Sequence, residues 1–214
     1  MKQAAIQKLY AYWDSLRGAR PAPERREIEP SEIRELLGDT FILEFEGPDR
    51  YTFRLAGTRM CSAYCRELKG RNFADLWIGK DREAVNNIIA AITTDGAATV
   101  LGFQGRNQLG KTLDFELLLL PLRQNGEGFN RILGLCVPVD TPYWIGVHPI
   151  REQSIISTRL IWPNQRPFFL RRQRRPDSVD LDTIAPQPPA IVPHQPDVTS
   201  RRYGHLTVYD GGRG

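Results

Sequence analysis

A chain of 214 residues of which 41% are hydrophobic can supply one sizeable core and one or two domains. Its formal net charge of +4 is uneven, because after Pro163 eight arginines stand against five aspartates, which places +3 of it in the tail and leaves a nearly neutral body. Met1 to Arg17 carries charges throughout and no continuous apolar run, which excludes a signal peptide or membrane span there, and three cysteines, an odd number, exclude a disulfide framework; together these predict a cytoplasmic protein.

Taken in order, the chain opens on Ile6, Leu9, Trp13 and Leu16, which step by three, four and three residues as a narrow apolar seam along a helix that Gly18 can terminate. Such a seam needs cover, either the domain's own sheet or the same helix of a second subunit. Pro21 and Pro23 mark a linker, and Pro30 to Leu37 predicts a short helix closed by Gly38. Phe41, Leu43 and Phe45 then alternate with Ile42, Glu44 and Glu46. Gly47-Pro48-Asp49-Arg50 turns the chain into a second strand, where Tyr51, Phe53 and Leu55 alternate with Thr52 and Arg54 until Gly57 ends it.

From Thr58 to Leu68, Met60, Cys61, Tyr64, Cys65 and Leu68 recur at helical intervals, and Gly70-Arg71-Asn72-Phe73 forms a turn. Val85, Ile88, Ile89 and Ile92 give Lys80 to Thr94 one apolar helical face, closed by Asp95-Gly96. Three strand candidates follow, Ala98 to Gly105, Thr112 to Leu122 and Arg131 to Val139.

Phe53-Arg54-Leu55-Ala56-Gly57-Thr58 resembles the end of the second strand of a PAS domain, and Leu68-Lys69-Gly70-Arg71-Asn72-Phe73 resembles the Gly-containing turn before the helical segment with Leu76 and Trp77. With an opening helix rich in Tyr and Trp (Tyr10, Tyr12, Trp13), the chain from Ile6 to Ile161 is similar to a family of short single-domain PAS proteins from alphaproteobacteria. The resemblance implies an α+β fold, with a five-stranded antiparallel sheet, helices inserted after the second strand and an N-terminal helix. The expected boundaries are a helix over 1–20, the PAS domain over 28–140, an extension over 141–162 that packs back on the domain, and a disordered Pro- and Arg-rich tail over 163–214.

In such a fold Phe41, Phe53, Phe73, Trp77, Ile89, Phe103 and Phe115 meet in the interior, as a filled core or as the wall of a small-molecule pocket. The sequence argues against haem, since no His lies between Lys80 and Thr94, and against flavin photochemistry, since Phe73 follows Asn72 where a reactive Cys would stand. No cluster of metal-ligating residues and no catalytic motif can be read, so the expected role is a non-enzymatic sensor or adaptor that binds a signalling protein. Arg54 is a candidate contact for an anion or partner, and Ile6, Leu9, Trp13, Leu16, Tyr143 and Trp144 are candidate interface residues, for a homodimer among others. The alternative is a nucleic-acid or membrane-associated protein that binds through Arg166, Arg171, Arg172, Arg174 and Arg175, with the PAS body as dimerisation module.

Overall fold

Strands whose residues are apolar on both faces need cover on both, and the chain supplies it from its N-terminus and from the insert after the second strand. The computed structural model describes residues 3–47, 49–165, 167, 200–203 and 206–209. Six strands, β1 (Thr40–Gly47), β2 (Arg50–Ala56), β3 (Ala98–Asn107), β4 (Thr112–Gln124), β5 (Glu127–Pro138) and β6 (Ile150–Ile161), form one antiparallel sheet in the order β2-β1-β5-β4-β3-β6. Helices α1 (Ala4–Arg17), α2 (Thr58–Ala63) and α3 (Gly79–Asp95) are joined by 3-10 turns at Arg25–Glu27, Pro30–Leu36 and Phe73–Leu76.

The sheet therefore has six strands, not the expected five. The additional strand, β6, lies within the stretch expected to be an extension, and it pairs along the whole of β3 from Ala98 opposite Ile161 to Asn107 opposite Ile150. Its sequence hides the strand because most of its side chains stay exposed and a register slip beside Ile155 breaks the alternation that marks a half-buried strand. The disordered tail expected over 163–214 lies largely outside the described residues. In a separate unit there, Ser200–Tyr203 (β7) and Leu206–Tyr209 (β8) pair antiparallel.

β4 shows how one strand serves two cores. Leu113, Phe115, Leu117 and Leu119 point to the side of α2 and α3, whereas Leu118, Leu120 and Leu122 point to the side of α1. Its continuous Leu run is that of a strand buried on both faces. Pro121 is tolerated in this central strand because β3 begins opposite Leu119 and leaves no ladder bond on that side for Pro121 to lose. Beyond that point the α1 segment takes over. The Trp13 indole N–H donates to the Pro121 carbonyl at 2.9 Å, and the Arg123 N–H donates to the Pro23 carbonyl at 2.9 Å.

The seam on α1 is covered by the chain's own sheet. Ile6, Leu9, Tyr10 and Trp13 are buried against Ile42, Val100, Leu118, Leu120, Leu133 and Leu135, and Leu16 packs at the margin. A dimer contact through Ile6, Leu9 and Trp13 would require α1 to leave the sheet. Arg17 secures the end of the helix. It pairs with Asp14 at 2.6 Å, lies over the Trp13 ring at 5.2 Å and donates to the Pro163 carbonyl at 3.1 Å.

Gly57 marks the crossing of β2 into α2 for a steric reason. Its φ of −69° suits any residue, but a Cβ would lie 2.2 Å from the Leu37 carbonyl oxygen and 2.3 Å from that of Gly38. The approach allows the Gly57 N–H to donate to Thr40 and the Arg59 and Met60 N–H groups to donate to Gly38, which satisfies the first amides of α2. Gly57→Ala is expected to lower stability by about 1 to 3 kcal/mol through overpacking against backbone, and Trp13→Ala by about 3 to 5 kcal/mol through loss of a buried ring. Urea denaturation checks both; wild-type midpoints would contradict the packing described.

Candidate functional site: an aromatic interior and a side groove

The residues expected to line the interior do come together, ring against ring. Phe41, Phe53 and Phe73 form a triangle with centroids 5.4 to 5.8 Å apart, and Trp77 continues it at 6.4 Å from Phe73 and 5.1 Å from Phe103. Phe103 stacks on Phe115 at 4.9 Å with an interplanar angle of 6°. These are contact distances for aromatic pairs. Ile89 on α3 is buried in the same cluster. Gly134 sits opposite Phe41 in the β1–β5 ladder, where a Cβ would come within 2.0 Å of the Phe41 ring, so the ring occupies the space that a side chain there would need.

A concavity opens at the margin of this core. A groove of about 460 Å³ is walled by the start of α1 (Gln3, Ala5), by Met60, Ala63 and Tyr64, by Phe115 at the end of the aromatic row, by the end of β5 (Cys136 to Pro138) and by Thr141 and Ile145 in the connection to β6. That volume falls within the range of small-molecule sites, whose walls are mostly apolar with a few placed polar groups. One end carries Asp39 and Arg59. The guanidinium meets the carboxylate through Nε at 2.9 Å and Nη2 at 2.6 Å, so the pair presents no net charge to the groove. The hydrogen bonds to Asp39 hold the Arg59 pKa above its ordinary value.

Deeper in, the Tyr64 hydroxyl donates to Gln153 Oε1 at 3.0 Å and Gln153 Nε2 donates to the Leu76 carbonyl at 2.7 Å. A wall of the groove is thereby tied to β6. Burial, and then the nearby Asp39 carboxylate, push the Cys136 thiol up. Burial likewise raises Tyr64 well above its ordinary value. None of Asp39, Arg59, Cys136 or Gln153 stood out in the sequence. They come from four separate segments, and no local spacing links them.

The remaining candidates are dispersed. Arg54 is exposed at the β2 irregularity, 3.7 Å from Glu44, a carboxylate that Arg131 also contacts. Tyr143 is 81% exposed with the Lys111 ammonium 4.6 Å from its ring centroid, whereas Trp144 beside it is buried in the core. Adjacent residues expected to share one interface thus face opposite ways. Among the described residues no group of three or more His, Cys, Asp or Glu could hold a metal ion, and no helix is long and apolar enough to cross a membrane.

Buried groups that stay protonated give the fold an alkaline limit. In the unfolded chain Cys136 ionises near 9.0 and Tyr10 and Tyr64 near 10.0, while in the folded chain Tyr10 is pushed up to about 12, chiefly by burial, and the other two are also raised. The unfolded state therefore binds fewer protons as pH rises, so this stability is complete below about pH 9 and is lost progressively towards pH 12. Urea midpoints should fall steadily above pH 9, and Cys136→Ala should remove the earliest part of the fall. A flat profile to pH 11 would contradict these assignments.

A family model described as PAS domain matches residues 1–137. No curated protein sequence matches the chain. Among solved structures, the light-state structure of the blue-light photoreceptor Aureochrome1 LOV is similar at 22% identity and a TM-score of 0.40, over 52% of this chain and 88% of that chain. The Rhodobacter sphaeroides LOV protein is similar at 14% identity and a TM-score of 0.41, over 67% of this chain and 71% of that one. The PAS domain of an HTR-like protein from Haloarcula marismortui is similar at 20% identity and a TM-score of 0.37, over 51% and 90%. With its family model spanning more than half of the sequence, and with helices inserted between the second and third strands of an antiparallel sheet, the chain belongs to the PAS domain family.

Proposed function

We propose that this PAS protein is a non-enzymatic sensor or adaptor in bacterial signalling, which acts by binding a partner protein and takes any small ligand in the side groove, not in the interior. The observation that carries the reading is the contrast between six rings in contact with one another and a 460 Å³ groove that opens against the last of them, Phe115. The groove is built from α1, α2, β5 and the β5–β6 connection, segments joined to the sheet by different contacts. An occupant that fits one arrangement of these segments better than another shifts their balance, and coupling of this kind is typically about 1 to 3 kcal/mol. Exposed Tyr143 and Val147 lie on that connection and are the surface on which a partner would sense the change.

The ligand expected is a neutral, largely apolar molecule with one hydrogen-bonding end, because apolar side chains form most of the walls and the ion pair at one end is internally neutralised. Native mass spectrometry of the full chain purified from its own host tests this. Ser62→Trp or Thr141→Trp, both at exposed groove positions, should expel a co-purifying mass and alter capture of a signalling protein without loss of native circular dichroism. Phe73→Ala should instead cost about 3 to 5 kcal/mol of stability. A ligand that survives both Trp substitutions would place binding elsewhere.

A further inference from the structure

The two rims of the sheet are finished differently. Along β2, the turn at 70–72 occupies the outer edge: the Phe53 N–H donates to Arg71 at 2.9 Å, the Gly70 N–H to Phe53 at 2.8 Å and the Tyr51 N–H to Asn72 Oδ1 at 3.1 Å. Along β6, among the described residues, the outer rim makes one long contact, from the Ile155 N–H to Asp81 Oδ2 at 3.4 Å. The strand has 12 residues and neither Lys nor Pro. A rim of that length with so few backbone partners is a template for another strand, and its bulges and charged side chains restrict which strand can pair with it.

Its charges say which strand fits. Gly102 and Phe103 of β3 lie opposite Ser157 and Ile155, so Ile156 is an extra residue. Glu152 lies opposite Arg106 and Arg159 opposite Val100. Residues 100 and 106 are an even number apart on one regular strand and share a face. The bulge therefore brings Glu152 and Arg159 onto one face, although a regular strand would separate residues spaced by seven. Both are exposed.

We propose that β6 pairs antiparallel with β6 of a second copy of this chain, about a two-fold axis beside Ile155 and Ile156. A second irregularity beside Arg151 turns Ile150 to the other face, so the ladder runs from 152 to 159, in the register that sets Glu152 opposite Arg159 of the second copy, twice by symmetry. Registers centred on Glu152 or on Arg159 would oppose like charges and are disfavoured. Ile156, which is 59% exposed in the single chain, is covered at the centre. The resulting dimer has one continuous sheet of twelve strands and leaves α1 in place on each subunit.

Sedimentation velocity of the full chain across a concentration series tests the arrangement. The wild type should show reversible dimerisation. Glu152→Arg or Arg159→Glu alone should weaken it by about tenfold or more, and the two together should restore it to within about threefold of wild type. A wild type that is monomeric at every concentration, single variants with an unchanged dimer, or a natively folded double variant that fails to dimerise would each overturn the proposal. Hydrogen exchange of the wild type provides a second measurement without mutation. Amides of residues 152–159 should gain protection as concentration rises, and protection already complete at dilution would mean that another segment or molecule occupies the rim.

Discussion

The two-sided burial of β4 and β5 is the constraint on which the other elements depend. Leu117 to Leu120 present apolar side chains alternately to both faces, so neither face can meet water without exposing a core layer. α2, the Phe73–Leu76 turn and α3 cover one face, and α1 with the Arg25–Leu36 region covers the other. The PAS insert alone would leave half of the sheet bare. α1 is therefore part of the domain's core and no appendage to it, and the matched family region includes it.

Much of this was legible because local rules and global packing agree. The alternation in Phe41 to Phe45 and Tyr51 to Leu55, the helical spacing of Val85 to Ile92 and the breaks at Gly57 and Gly96 all correspond to element boundaries in the structure. The aromatic interior could be assembled from the same periods, since side chains that alternate on paired strands must share a face. How closely its rings pack could not be read, because that depends on rings from five elements meeting at distances that no single segment encodes.

The rest was hidden for identifiable reasons. β6 lacks a clean period because its bulge and its exposed face both erase alternation. The α1 seam looked narrow enough for a partner helix, yet Tyr10, four residues after Ile6 and three before Trp13, widens the buried face and Trp13 finds a hydrogen-bond acceptor in a strand far along the chain. Trp144 and Tyr143 looked like one patch, but neighbours on a tight connection can point in opposite directions. The groove is a product of tertiary structure alone, since Asp39, Arg59 and Cys136 acquire meaning only when three segments meet.

The Trp13 to Pro121 bond spans 108 residues of sequence. During vectorial synthesis at about 5 to 20 residues per second, α1 therefore emerges roughly 5 to 20 seconds before its docking strand exists. Throughout that interval Ile6, Leu9, Tyr10 and Trp13 lack the part of their native cover that β4 and β5 supply. The same side chains that complete the mature back layer are thus, on the ribosome, apolar surface awaiting its cover, and the timing of β4 and β5 sets how long the nascent chain carries it.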